Sequence, residues 1–313
     1  MVEKKEAIEF VSGKGEIPGD FSNMDMNFNL KLGSYVNLCL PSNYQTLEKQ
    51  FDLPGLRKRG IAPIVYYTAI QNTPQKVSFG HPVYVKNKVR LCRNVMEYPA
   101  VNAQEPGKRV ERLMFDLSTE SSAHQNTGGA EKLGLSEEIG EIRPVGKIHI
   151  YQIFTKPLAL AHERRVTEVP EELRSLKEHS LPGPFPSIEG LEKFPENFQK
   201  EQELSPFFSV WGMSNTDINQ HVNMVEYIDG FQEHFTRLLF HAKKPISTHF
   251  IHEAQIIFRK PFFPGQRYAI QGKIGFDGEQ SVLLAGYYLA DDGGNLDPNP
   301  FNFTRMNGSF CLE

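Results

Sequence analysis

The sequence predicts an α+β protein made of two similar halves, each a curled antiparallel sheet wrapped around one central helix. Three observations predict it: a motif that occurs twice, a helix-like segment opened by each copy, and four strand-like runs behind each helix. A chain of 313 residues is long enough to bury two ordinary cores.

The motif reads Ser22-Asn23-Met24-Asp25-Met26-Asn27-Phe28-Asn29-Leu30 in the first half and Ser214-Asn215-Thr216-Asp217-Ile218-Asn219-Gln220-His221-Val222 in the second. Extended to Val36 and Ile228, the 15-residue windows share five identities, and four more positions exchange one apolar residue for another. A short strand-like run precedes each copy, Ala7 to Val11 and Pro206 to Trp211. The segment Val222 to His241 places Val225, Ile228, Phe231, Phe235, Leu238 and Leu239 at helical steps, with Asn219 or Asp217 as its expected N-cap. Its counterpart, Leu30 to Phe51, should break or kink at Pro41. Strands follow at Ile64 to Ile70, Val83 to Cys92, Arg109 to Asp116 and Val145 to Phe154. In the second half they follow at Ile251 to Phe258, Arg267 to Phe276, Val282 to Ala290 and Thr304 to Cys311, with Gly80 and Gly265 in matching turns. An apolar helix stripe needs a concave apolar sheet, so this order reads as a hotdog arrangement present twice, a tandem or double hotdog.

The expected division is an N-terminal lobe over residues 1–166, a connector over 167–205 and a C-terminal lobe over 206–313. The connector is rich in Glu, Pro and Lys and should lie along the surface, with a short helix at Pro170 to His179. Ser118 to Glu141 is polar and should be an exposed excursion. A net charge of −4 gives no footprint for nucleic acid, and no run of roughly 18 apolar residues suggests a membrane span. The acidic start of the chain carries no apolar leader core, which points to the cytoplasm. Cys39, Cys92 and Cys311 are widely spaced and read as reduced, packed thiols, without disulfide or metal site. Arg57-Lys58-Arg59 is the one short basic run, read as a solvated turn or a weak docking site for an acidic carrier.

Asp217, Asn219 and His221 carry the chemistry. In an extended segment alternate side chains share a face, so all three should point into one cavity at a helix N-terminus. There the helix dipole and free amides favour developing negative charge. The Val222 and Asn223 amides, with the Asn219 side chain, would form an oxyanion site. Asp217 would deprotonate water or attack a carbonyl itself, and His221 would hold that water or protonate a leaving thiolate. The plain alternative is that an Asp-Asn pair before a helix is a cap, worth about 1 kcal/mol.

The run Asn215 to Glu233 resembles the active-site signature of acyl-ACP thioesterases, D-x-N-x-H-V-N-N followed by Tyr and then Glu, and more widely that of hotdog thioesterases acting on acyl-CoA. The resemblance implies that Asp217, Asn219 and His221 are catalytic, flanked by Val222, Asn223, Tyr227 and Glu233. It implies hydrolysis of an acyl thioester, on coenzyme A or an acyl carrier protein, with no metal or redox cofactor. By the same analogy the first lobe accepts the acyl chain, with Met26, Phe28, Leu32 and Tyr35 as lining candidates that equally suit a plain core. There are departures. Met224 replaces the second Asn of the run, and the family's Glu-aromatic-Arg appears as Ile257-Phe258-Arg259. Glu253 could supply the second acid only with a shifted register, and otherwise is an exposed strand residue. In the first copy Asn29 replaces the histidine, and an amide cannot shuttle protons, so that lobe is expected to be non-hydrolytic. Two further readings stay open, an acyl-binding module of a biosynthetic complex and a hydratase or dehydratase, although the latter's Gly-Asp-x-Asn-Pro run is missing. A tandem chain can pair its own lobes, so either a monomer or a homodimer is expected.

Overall fold

The computed structural model describes residues 7–19, 22, 24–25, 29–78, 80–98, 108–126, 139–160, 162–181, 184–200, 204–217 and 220–310. In the first half, β1 (Val11–Ile17) precedes α1 (Leu32–Glu48), the short α2 (Leu53–Lys58), β2 (Ala62–Asn72), β3 (Val83–Tyr98), β4 (Lys108–Asn126) and β5 (Ile139–Thr155). The connector holds β6 (Glu178–Ser180), α3 (Ile188–Leu191) and β7 (Gln199–Lys200). The second half repeats the pattern with β8 (Phe207–Val210), α4 (Met224–His241), β9 (His249–Phe258), β10 (Arg267–Asp277), β11 (Gln280–Leu289) and β12 (Asn302–Phe310).

Each half contains a strand, a helix and four strands, although the first strand is Val11–Ile17 and not the expected Ala7 to Val11, where Ile8 makes only an isolated bridge. The described residues do not form the expected pair of separate sheets. One 12-stranded sheet runs β1-β3-β4-β5-β2-β9-β12-β11-β10, with β7 and β8 on β10 and β6 on β3. Within it the halves mirror each other strand for strand, and they join where β2 and β9 pair antiparallel from Tyr67↔Ile257 to Gln71↔Glu253. An open edge strand exposes unpaired backbone groups, and edge-to-edge pairing satisfies both edges at once. Gly80 and Gly265 both have positive φ, 76° and 83°, as their matching turns require.

Both helices lie on one face of this sheet and share a single core, in which Tyr35, Leu38, Phe231 and Phe235 are essentially inaccessible. They cross at Gly33, where an added Cβ would stand 2.9 Å from both Val225 Cγ1 and Asp229 Oδ1. Pro41 does not break α1, because it and Asn37, the residue whose carbonyl loses its helical partner, both face solvent. Ser118 to Asn126 is not an excursion but the continuation of β4, paired with β3 as far as Val83↔Ala123. Its small polar residues hide a period of two: Thr119, Ser121 and Ala123 are buried in alternation, and Asn43 of α1 donates to Thr119 Oγ1 at 2.9 Å.

The connector crosses the opposite face. β6 adds to β3 in parallel, Phe185 stacks on Tyr66 at 4.8 Å, and Tyr66 donates to the Pro186 carbonyl at 3.2 Å. Ile188 and Leu191 then pack with Tyr67, Ile257 and Phe303 across the join, and β7 ends on β10. The expected helix at Pro170 to His179 is a single 3-10 turn, Glu171–Leu173, followed by strand. Cys39 and Cys92 are buried free thiols, and burial raises both, Cys39 to about 11 and Cys92 to about 12; Cys311 lies outside the described residues.

Candidate active site

The segment before α4 folds as a tight hairpin rather than an extended strand. Thr216 and Val222 form a bridge, Asp217 N–H donates to the His221 carbonyl at 2.9 Å, and Gln220 N–H returns to the Asp217 carbonyl at 2.9 Å. Closing this turn puts Gln220 at φ 62°, a left-handed conformation that a non-glycine residue rarely adopts. The hairpin therefore brings Asp217 and His221 together as opposite residues, not as neighbours along one face of a strand. Asp217 is exposed and His221 half-buried. Asn219, between them, lies outside the described residues.

The first copy of the motif closes with the same two pairings. Met24 bridges Leu30 and Asp25 N–H donates to the Asn29 carbonyl at 2.8 Å, each position offset by 192 from its second-lobe equivalent. There the side chains close on each other: Asn29 donates from its backbone to Asp25 Oδ1 at 3.0 Å and from its amide to Oδ2 at 3.2 Å. β2 and β9 are antiparallel, and each hairpin sits beyond the C-terminal end of its own strand, Leu30 held by Asn72 and Val222 by Phe262. The two hairpins thus occupy opposite ends of the joint sheet.

Several residues fix the second hairpin. Asn223 is the N-cap of α4, its side chain accepting from Val225 N–H at 3.0 Å, in place of the expected Asp217 or Asn219 cap, of which Asn219 lies outside the described residues. Asn215 Nδ2 donates to Glu226 at 2.7 Å, and Asn223 N–H donates to the Asn215 carbonyl at 2.8 Å. Val222 N–H donates to the Phe262 carbonyl at 3.0 Å, while Phe262 N–H donates to the Tyr227 hydroxyl at 3.0 Å. The next residue, Phe263, meets the His221 ring edge-on at 5.1 Å. Burial pushes Tyr227 up to about 12, with a smaller contribution from the Asp217 charge.

The expected oxyanion pair is overturned by these bonds. The Val222 and Asn223 amides are both committed to backbone carbonyls, because the hairpin and cap need them. The Met224 N–H, first of the helix proper, makes no hydrogen bond among the described residues. Glu253 is also displaced. On β9, Ala254 and Ile256 face the helices while Ile257 packs under the connector, so Glu253 shares the connector face, away from the hairpin. It accepts from Gln255 at 3.0 Å and from Asn307 at 2.6 Å. Leu32 and Tyr35 are fully packed core, Tyr35 donating to Asn72 and the Val145 carbonyl, both at 2.7 Å. Met26 and Phe28 lie outside the described residues.

Sequence reasoning missed two contributors. Asn302, at the start of β12, is 0% exposed, and neither of its amide atoms has a hydrogen-bond partner of normal geometry among the described residues, although Tyr227 is close enough to feel it. Thr68, from the first lobe, donates to the Met224 sulfur at 3.6 Å, so that lobe helps wall the start of α4. Neither carried a local signal: each is a lone polar residue in a strand, placed only by tertiary pairing.

No family model matches the sequence, and no curated protein matches it. Solved structures do. An acyl-ACP thioesterase from Bacteroides thetaiotaomicron superposes with a TM-score of 0.59 at 14% identity, covering 95% of this chain and 98% of that one. A 12:0-ACP thioesterase from Umbellularia californica gives 0.56 at 12% identity, covering 96% and 94%. A conserved hypothetical protein from Mycobacterium tuberculosis with a double hotdog fold gives 0.52 at 8% identity, covering 98% and 96%. Over nearly its whole length, this chain has the double hotdog fold.

Proposed function

We propose that the protein hydrolyses acyl thioesters to a carboxylic acid and a free thiol, with the acyl group carried on coenzyme A or an acyl carrier protein. The observation that carries this reading is the opposition of Asp217 and His221 across a hairpin that ends on a capped helix N-terminus. The fold likeness to thioesterases supports it. Asp217 acts as base on water or as nucleophile, and His221 protonates the departing thiolate. The Met224 amide, with Asn219, takes the charge that develops on the carbonyl oxygen. Residues 206–313 carry the chemistry, and residues 1–166 receive the acyl chain without hydrolysing it. Cytoplasmic location belongs to the same proposal, supported by the buried free thiols.

The test is thiol release from a panel of acyl-CoA and acyl-ACP substrates by the native protein and by Asp217→Asn. Release that falls on the order of 10²-fold or more in the variant supports the proposal, and release that survives sinks it. One observation favours a second reading, an acyl-binding module without hydrolysis: Glu253 stands on the wrong face to serve as a second acid. Retention of acyl thioesters without thiol release would identify that function.

A further inference from the structure

At the end of the sheet where β5 stops, Leu158 is 99% exposed and Leu160 is 65% exposed, and the proposed reaction uses neither. Leu158 is the most exposed large apolar side chain among the described residues. The backbone that presents them is tied down. Thr155 bridges Arg165, Lys156 N–H donates to the Arg164 carbonyl at 2.8 Å, and Ala159 N–H donates to the Lys156 carbonyl at 3.1 Å. Glu163 N–H donates to the Leu160 carbonyl at 2.8 Å, and Arg164 Nε donates to the Ala159 carbonyl at 3.0 Å. The fold therefore holds two leucines out in water, a cost that calls for an apolar partner.

Cations surround this tip. Lys156, Arg164 and Arg165 are exposed on the loop itself. Ala62, where β2 begins, pairs with Thr155, which brings the exposed Arg57-Lys58-Arg59 run at the end of α2 to the same end of the sheet. Acids nearby include Glu163 on the loop, the exposed Glu168 just after it, and Glu171 and Glu172, the last bound by Arg59 at 3.0 Å.

We propose that this end of the first lobe docks on an anionic lipid surface, with Leu158 and Leu160 entering the boundary between headgroups and hydrocarbon and the cations of the loop and α2 meeting lipid phosphates. A protein partner fits less well. Stable protein interfaces bury about 800 Å² on each side around well-packed anchors, whereas this tip offers two leucines on a convex turn. A bilayer accepts a small apolar tip in any rotation, and each cation adds attraction without a matching register. The β2–β9 pairing also sets the Ala62 end of β2 beside the C-terminal end of β9, beyond which Phe262 and Phe263 touch the Asp217–His221 hairpin. Docking here would bring the candidate active site near lipid. The inference stands on the exposed loop and its cations and does not depend on the thioesterase reading.

Co-flotation of the full chain with vesicles tests it, comparing phosphatidylcholine alone with phosphatidylcholine mixed with phosphatidylglycerol. The expected result is flotation with the mixed vesicles, weakened by salt and lowered on the order of tenfold in the Leu158→Ser/Leu160→Ser variant. Arg57→Glu/Lys58→Glu should lower it as well, with thermal melting unchanged in both variants. Absence of flotation with anionic vesicles overturns the proposal, and so does flotation that survives the leucine replacements. If the leucine variant instead raises KM for acyl-ACP in the absence of lipid while flotation is unaffected, the surface docks a carrier protein and the lipid proposal is wrong. Flotation is read without any substrate, so failure of the hydrolytic reading leaves this test intact.

Discussion

At residue 29 the first lobe's hairpin carries an asparagine whose amide is turned onto Asp25, while at residue 221 the second lobe's hairpin carries a histidine whose ring lies against Phe263. The two hairpins share their closing bridge and the bond from the Asp N–H, so the difference among the described residues lies in the side chains. Asp25 has its carboxylate engaged by its own hairpin, whereas His221 can accept or release a proton. The helices behind the hairpins differ in the same sense. In α1 the buried second half carries Ser42, Asn43 and Thr46, with Asn43 and Thr119 linked into a network that reaches Asn87. At the equivalent positions α4 carries His234, Phe235 and Leu238, and neither ring nitrogen of the buried His234 has a hydrogen-bond partner among the described residues. One fold thus supports a helix with a polar buried half and one with an aromatic, apolar buried half.

The largest test of that contrast converts one hairpin into the other. His221→Asn gives the second lobe the Asp–Asn pair of the first, and turnover should fall about 10²- to 10⁴-fold with thermal melting little changed. A variant that still turns over at the native rate would remove His221 from the mechanism. Gly33→Ala strikes where the two helices meet. Its new Cβ would crowd Val225 and Asp229, and denaturant titration should show a loss of up to about 3 kcal/mol. A smaller effect follows from His234, which burial lowers from 6.5 to about 4. The folded state holds this ring neutral, so its contribution is complete above the ordinary histidine range and is lost as pH falls from 6.5 toward 4. The share of this one residue in the loss on equilibrium unfolding should be about 2 kcal/mol between pH 7 and 5. His234→Gln should remove that share of the slope and leave that of His249, which is lowered likewise. Ser42, at the corresponding place in α1, titrates nothing. The smallest effect is expected for Glu253→Gln, which should leave turnover within about twofold because the carboxylate is on the connector face. A large loss of turnover would return Glu253 to the site.

Much of this was legible in the sequence. β9 to β12 announce themselves by β-branched and aromatic runs, and Gly80 and Gly265 mark turns that only positive φ can make. The repeat located both hairpins because their pairing is local. What escaped was everything that depends on partners far along the chain. The second half of β4 shows no hydrophobic period because its buried face meets the polar side of α1. Glu253 looked usable until pairing with β2 and β12 fixed its face. The left-handed Gln220 carries none of the Gly or Asn signal that usually marks such a turn. With that turn unseen, Asp217, Asn219 and His221 read as an extended row, and the Val222 and Asn223 amides seemed free.

The seam between β2 and β9 also bears on how the molecule is assembled. It joins Tyr67 to Ile257, residues 190 positions apart, so it closes only after both have been synthesised. Contacts of such separation form late and slowly in folding. Until they form, the first half presents β2 as an unpaired edge, a template for any other strand, including the β2 of a second nascent chain. The connector shortens that interval: by pinning itself to β3 and β10 it keeps the correct partner tethered and at high local concentration. Folding fidelity in this protein is therefore a race between an intramolecular zipper and intermolecular exchange, and cutting the connector would hand the advantage to exchange.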